Sequence, residues 1–353
     1  MKKTGLTLAI SALLAISSPT WAARHITDQL GRHITIPDHV NRVVVLQHQT
    51  LDILVELDAQ KSIVGVLSSW ERHLGAGFVR LYPQITKLPM PGDLTNVNIE
   101  SILKLHPQVI FVTNYSPKTM LAQLERTGIP VVAISLRKYQ PGQSNKLNPT
   151  IKNENQAYNE GLKNGILLIG KVVNHEAQAK ALVHYIFKHR TIVAKRLKGL
   201  PADKRVRVYI ANPNLTTYGS GKYTGLMLEH AGAMNVAASS IKGYKQVSLE
   251  NVLQWDPQVI FVQHRFAYVV KKIEHNPAWQ SIDAVKHHRI YLMPEYAKAW
   301  GYPMPEALSV GELWMAKKLY PNRFKDINVQ KAANDFYERF YRTQYQPTID
   351  TAK

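Results

Sequence analysis

Short apolar runs alternate with amphipathic segments along most of the chain. The runs predict buried β-strands, and they lie at residues 42–46, 63–66, 109–112, 131–134, 205–210, 259–262 and 289–292. Between them, apolar residues at helical spacing predict helices, for example at 51–57, 120–126 and 225–230. Strands that are apolar throughout are typical of parallel sheets covered by helices on both faces. The pattern therefore predicts an α/β fold with two lobes, each built on a doubly wound parallel sheet.

One unit made of a helix and a strand occurs twice, 150 residues apart. Residues 99–114 and 249–264 are identical at eight of 16 positions. In each copy a short amphipathic helix ends before a proline, Pro107 or Pro257, and an apolar strand follows. A single recurrence is too few for a solenoid, which needs about three stacked units. The repeat instead indicates two lobes of like architecture.

The segment between the two halves predicts helices. Residues 158–169 have helical periodicity, residues 172–174 form a break, and a second helix is predicted over 175–198 with Asn174 as its N-cap. At 1.5 Å per residue this second helix is about 36 Å long. We interpret the helical segment 151–202 as a connector between an N-terminal lobe at 23–150 and a C-terminal lobe at 203–353, which places the ligand cleft between the lobes. An ordinary core helix is the alternative.

The N-terminus predicts a secretory signal peptide over residues 1–22. Lys2 and Lys3 precede the apolar stretch 6–16, and small residues surround a cleavage site near Ala22. The apolar stretch is shorter than the roughly 20 residues that a membrane-spanning helix needs. We therefore expect the mature protein in the periplasm.

Composition and charge narrow the classes of partner. The 353 residues include no cysteine, which excludes disulfides, thiolate metal sites and cysteine nucleophiles. Lys and Arg number 44 against 25 Asp and Glu, and the formal charge of +19 favours an anionic partner. Secretion, and the lack of a basic strand or helix studded with aromatic residues, argue against nucleic acid. A small anionic solute fits these features better.

The order of the motifs resembles that of substrate-binding proteins of ABC importers, in the class that binds iron chelates, haem and cobalamin. The resemblance rests on residues 28–37 (DQLGRHITIP), 41–46 (NRVVVL), 98–107 (NIESILKLHP) and 289–319. It implies two Rossmann-like lobes joined by a long helix, with one solute bound between them. It also implies delivery of that solute to an ABC permease dimer, whose ATPase subunits are separate.

The resemblance assigns permease docking to Glu100 and Glu250. In many members, glutamates at these positions of the two repeated units pair with permease arginines. Glu100 and Glu250 stand one per lobe, so a two-fold permease could contact both. A carboxylate in the first turn of a helix also stabilises the helix dipole by about 0.3–1 kcal/mol. That structural role is the alternative.

Candidate ligand-binding residues follow the predicted strands, because open parallel sheets bind ligands beyond the carboxyl ends of their strands. They are His48, Trp70, Tyr115, Tyr218, His264, Arg265, Tyr296, Trp300 and Tyr302. Arginine offers a fixed fork of donors for an oxyanion, and aromatic rings offer flat contact surface. Packing is the alternative for Trp70, Trp300 and the tyrosines near it, and metal ligation or solvent exposure stays open for the two histidines. The stretch 218–224 (YGSGKYT) lacks the spacing of a P-loop and suggests a mobile cleft loop or an anion-binding nest.

These features predict a receptor and not an enzyme. The basic charge and the cleft aromatics favour an anionic metal chelate, of the siderophore, haem or cobalamin type, that brings most of its own metal ligands. A receptor for a compact oxyanion such as molybdate or tungstate is the alternative. A secreted hydrolase is a remote one, because nucleophile-elbow, His-Glu-x-x-His and Walker motifs are absent from the sequence. We expect a monomer with no cofactor, no catalytic residues and no protein-held metal ion.

Overall fold

The structure is a computed structural model that describes residues 23–347. The predicted signal peptide at 1–22 lies outside these residues. Within them, no helix has the length and apolar character needed to cross a membrane.

The bounds of the elements follow in chain order. The strands between residues 23 and 347 are β1 (Ala23–Thr27), β2 (His33–Pro37), β3 (Val43–Val45), β4 (Ile63–Val66), β5 (Val109–Thr113), β6 (Val131–Ile134), β7 (Arg207–Ala211), β8 (Thr216–Tyr218), β9 (Met234–Asn235), β10 (Tyr244–Gln246), β11 (Val259–Val262) and β12 (Ile290–Leu292). The α-helices of the same range are α1 (His48–Glu56), α2 (Trp70–Leu74), α3 (Phe78–Leu81), α4 (Ile99–Lys104), α5 (Lys118–Glu125), α6 (Glu154–Val172), α7 (Glu176–Arg196), α8 (Tyr223–His230), α9 (Leu249–Trp255), α10 (Tyr268–Glu274), α11 (Asp283–Lys286), α12 (Glu312–Leu319) and α13 (Val329–Phe340).

Two parallel four-stranded sheets have the same strand order. The first runs β4-β3-β5-β6 and the second runs β9-β7-β11-β12. Numbered by appearance within each sheet, both read 2-1-3-4. The predicted α/β fold with one doubly wound sheet per lobe is confirmed. The common order also explains the sequence repeat, because α4 and β5 occupy the same place in the first lobe as α9 and β11 do in the second.

The repeated helices begin in the same way. The side chain of Asn98 accepts a hydrogen bond from the backbone N–H of Ser101, and that of Ser248 accepts one from Asn251. Such caps satisfy N–H groups that have no partner within the helix and are worth about 1 kcal/mol each. The strands that follow, β5 and β11, are buried along their whole length. The apolar pattern therefore located both strands correctly.

The predicted connector contains two long helices, of which α7 leads into the second lobe. Its C-terminal Arg196 forms an ion pair with Asp326 at 2.6 Å. The prediction of Asn174 as N-cap is wrong, because His175 occupies that position without a side-chain bond. Asn174 has a left-handed backbone (φ 63°) and accepts a hydrogen bond from the N–H of Val40, so it ties the turn to the first lobe.

One continuous apolar core joins the two lobes. It includes Val45 and Phe111 of the first sheet, Val208 and Phe261 of the second, and the inner faces of α6 and α7. The segment after α13 also returns to the first lobe, where the guanidinium of Arg342 donates to the carbonyl oxygen of Val55. The C-terminal segment therefore crosses the boundary that the sequence placed between the lobes.

Candidate functional site

A cavity of about 220 Å³ lies between the lobes at the carboxyl ends of the central strands. In each sheet the first and third strands are neighbours, which is the topological switch point where such sheets bind ligands. His48 follows β3 as the first residue of α1, Tyr115 follows β5, and Arg265 follows β11. The complete lining is His48, Gln49, His73, Tyr115, Leu147, Asn148, Tyr218, Lys222, Tyr244, Arg265, Trp300, Gly301 and Tyr302.

The cavity brings together most of the predicted ligand-binding residues. Those that line it are His48, Tyr115, Tyr218, Arg265, Trp300 and Tyr302. Trp70 and Tyr296 do not line it, because both are buried in the apolar core, where the ring of Tyr296 packs on that of Tyr345 at 5.1 Å. His264 lines a narrower cleft beside the cavity. We therefore restrict the proposed binding residues to the six that line the cavity.

Three side chains of the lining that could bind an anion, His73, Lys222 and Tyr244, were not predicted from the sequence. His73 lies on α2, a five-residue helix too short to show periodicity. Lys222 stands before α8 in the glycine-rich stretch that suggested an anion-binding nest, which was the available signal. Tyr244 belongs to β10, a three-residue strand whose side chains are all exposed. Short or exposed elements give no hydrophobic pattern to detect.

Two cations face the cavity from the second lobe. The guanidinium of Arg265 lies 4.9 Å from the ring centre of Phe266 and 5.8 Å from that of Trp300, and its buried Nε has no hydrogen-bond partner among the described residues. The ammonium of Lys222 donates to the carbonyl oxygen of Leu147. Burial, reinforced by Arg137, lowers the pKa of Lys222 to about 8. A guanidinium stays charged even where burial lowers its pKa, so the cavity is electropositive.

Two stacked histidines form the facing wall. The rings of His48 and His73 are 4.1 Å apart and nearly parallel, and the edge of His48 approaches Trp300 at 5.5 Å. Burial, followed by the charge of Arg265, lowers the pKa of His73 to about 4. Burial also lowers the pKa of His48, well below its usual value, with His73 and Arg265 contributing. Both imidazoles are therefore neutral at pH 7, and each can donate one N–H.

The second lobe is hydrogen-bonded to the first lobe and to helix α6 near this cavity. The hydroxyl of Tyr302 donates to Asn114 Oδ1 at 3.4 Å, and that of Tyr158 donates to the carbonyl oxygen of Gly221 at 3.0 Å. As far as residues 23–347 form it, the lining contains no carboxylate. In the same range no group of three or more His, Asp or Glu side chains is placed to hold a metal ion. The arrangement offers cations and neutral donors to a small anion.

The predicted docking glutamates stand away from the cavity lining. Glu100 and Glu250 are both exposed, each in the first turn of its helix. Hydrogen bonding from Ser248, followed by that from the backbone, lowers the pKa of Glu250, so its carboxylate is ionised at neutral pH. The geometry fits both a docking contact and stabilisation of the helix dipole.

Comparison with known proteins decides the family. Residues 43–297 match the family model described as periplasmic binding protein. The chain belongs to this family. It is 58% identical over 341 residues to the molybdate-binding protein MolA of Haemophilus influenzae, covering 96% of this chain and 97% of that relative. A solved structure of MolA bound to molybdate from the same organism superposes with a TM-score of 0.90 at 59% identity, covering 92% of this chain and all of the other.

A more distant relative represents the chelate receptors. The Fe(3+)-citrate-binding protein YfmC of Bacillus subtilis is 24% identical over 275 residues, covering 76% of this chain and 78% of that protein. These likenesses confirm that the chain is a periplasmic substrate-binding protein of an ABC importer and not an enzyme. Its partners are therefore a permease and an ATPase. The predicted cleavage site near Ala22 lies outside the described residues and stays a prediction.

Proposed function

We propose that the protein binds a tetrahedral dianion, molybdate or tungstate, in the cavity between its lobes and delivers it to the permease. The observation that carries this proposal is the guanidinium of Arg265, which lines the cavity and whose buried Nε has no hydrogen-bond partner among the described residues. An anion that leaves water must recover its hydrogen bonds from the protein. Arginine supplies them as a rigid fork that matches an oxyanion edge.

The charge pattern of the cavity favours a fully deprotonated dianion. Lys222 adds a second cation, and the described lining holds no carboxylate to repel an anion. Hydrogen phosphate carries a proton that needs an acceptor, and the described lining offers no carboxylate for that role, only neutral acceptors such as the imidazoles of His48 and His73. Molybdate and tungstate carry no proton at neutral pH, so every oxygen can accept a hydrogen bond. We therefore expect phosphate to bind more weakly than molybdate or tungstate.

The size of the cavity argues against the metal chelate that the sequence favoured. Pockets for drug-sized molecules measure about 300–1,000 Å³, whereas this one measures about 220 Å³. The 58% identity to a protein named for molybdate supports the compact oxyanion. The iron-citrate receptor is far more distant, at 24%. We therefore replace the siderophore, haem or cobalamin interpretation with the oxyanion alternative.

Isothermal titration calorimetry of the mature protein tests this proposal. The panel is molybdate, tungstate, sulfate, phosphate, ferric citrate, haem and cobalamin, each titrated at pH 7.5. We expect saturable binding of one molybdate or one tungstate per chain, at least tenfold weaker binding of phosphate, and no saturable binding of the chelates. Sulfate, which is also fully deprotonated, tests whether charge and protonation alone set the selectivity. A chelate that binds more tightly than molybdate would overturn the proposal.

A further inference from the structure

Two leucines on the repeated helices are exposed at equivalent positions. Leu103 of α4 is 45% exposed and Leu253 of α9 is 36% exposed. They are separated by the 150-residue offset of the repeat. The residue before each of them, Ile102 or Val252, is fully buried and makes the contact with the core. The leucines are therefore not needed to hold their helices in place.

Each leucine shares a helix face with a glutamate. Glu100 precedes Leu103 by three residues, and Glu250 precedes Leu253 by the same spacing. Side chains three apart on a helix are neighbours on its surface. All four side chains are exposed. The two lobes thus present the same pair, a carboxylate beside an apolar side chain.

A single exposed leucine is ordinary and needs no explanation. Here, however, two exposed leucines occupy matching positions in two lobes that have the same strand order. A partner with two-fold symmetry would present the same surface to both leucines. Because the chain belongs to the periplasmic binding proteins of ABC importers, the expected partner is an ABC permease. The two glutamates are negatively charged residues on a chain whose formal charge is +19. Their complement on the partner is a basic side chain.

We propose that Leu103 and Leu253 are docking residues, each filling an apolar socket of the permease that lies next to a basic side chain. The carboxylates orient the receptor, and burial of the leucines supplies contact area from which water is excluded. This inference rests on the exposure of the two leucines at repeated positions and on the family assignment, which supplies the permease as partner. It does not depend on which solute occupies the cavity.

The test measures binding of the receptor to its detergent-solubilised permease–ATPase complex by biolayer interferometry. The variants are L103A, L253A and L103A/L253A, because alanine removes the apolar side chain and keeps the helix. E100Q/E250Q serves for comparison. The matched control is M234A, which removes a side chain that is 43% exposed in the second lobe outside α4 and α9. Each protein is measured without solute and with molybdate.

We expect the double leucine variant to bind the complex at least tenfold more weakly in both conditions, each single variant about two- to fivefold more weakly, and M234A within twofold of the wild type. Unchanged melting temperature and molybdate titration will show that the fold and the cleft are intact. The proposal is overturned if L103A/L253A binds within twofold of the wild type, or if M234A loses as much. Failure of molybdate to bind would affect only the oxyanion proposal, since the measurement without solute still tests the leucines.

Discussion

At the scale of single residues, Arg265 is the side chain on which the oxyanion proposal depends most. It was predicted because it follows an apolar strand, and the structure places it in the cavity lining with an unpartnered Nε. The surrounding rings of Phe266 and Trp300 hold the guanidinium plane in position. An arginine that is already oriented loses less entropy when it binds an anion than a free one would.

Replacing Arg265 with alanine should weaken molybdate binding by more than tenfold, about 1.4 kcal/mol or more. Arg265→Lys should recover part of the loss, because it restores the charge without the planar fork. Calorimetry measures both, and Arg126→Ala removes the same charge from an exposed site as control. Unchanged affinity in R265A would show that the anion does not contact this residue.

Site residues could be predicted from the sequence when they lie close to the end of a recognisable strand. His48, Tyr115 and Arg265 stand just after short, wholly apolar runs, so the rule about strand ends found them. The same rule also selected Trp70 and Tyr296, because it does not tell whether a ring turns towards the cavity or into the core. Side-chain direction is set by packing, which a single sequence does not display.

At the scale of elements, the strands that are buried along all or nearly all of their length were located most accurately. Ile63–Val66, Val131–Ile134 and Val259–Val262 have the predicted bounds. Errors occurred where a residue could serve two purposes, as with Asn174, whose side chain bonds to the first lobe and does not cap α7. Asparagine is favoured both at N-caps and in the left-handed conformation, so the sequence alone left that choice undetermined.

A buried ionic cluster links elements that lie far apart in the sequence. Lys298, in the loop after β12, pairs with Asp52 of α1 and with Glu306. The hydroxyl of Tyr341 lies 2.8 Å from Asp52 Oδ1 and 3.1 Å from Glu306 Oε1. Burial, followed by the charges of Glu306 and Asp52, raises the pKa of the neighbouring Glu56 well above its usual value. No local pattern predicts such a cluster, because its members are separated by up to 289 residues.

Lys298→Met should lower the free energy of unfolding by about 3–5 kcal/mol, because it leaves the buried carboxylates of Asp52 and Glu306 without their cation. Urea denaturation followed by circular dichroism measures the change. Lys325→Met, at an exposed position, is the control and should change stability by no more than about 0.5 kcal/mol. A loss below about 1 kcal/mol in K298M would show that the cluster does not stabilise the contact between the lobes.

At the scale of the whole molecule, two lobes with the same strand order enclose one asymmetric cavity. The first lobe contributes the neutral imidazoles of His48 and His73, and the second contributes the cations of Arg265 and Lys222. The repeat could be predicted from the sequence because it preserves the helix and strand that build each sheet. The difference between the lobes lies in the loops, where the two copies diverge, and this is why the class of solute was harder to predict than the fold.

The position of a bound oxyanion tests the central proposal most directly. Tungstate can be located without ambiguity in crystals of the mature protein by anomalous scattering at the tungsten L3 edge. We predict one dominant anomalous peak in the cavity between the lobes, placed so that the oxygens of the tungstate lie within hydrogen-bonding distance of the side chains of Arg265 and Lys222. A cavity without a peak in crystals grown with saturating tungstate, or a dominant peak elsewhere on the protein, would contradict the proposal.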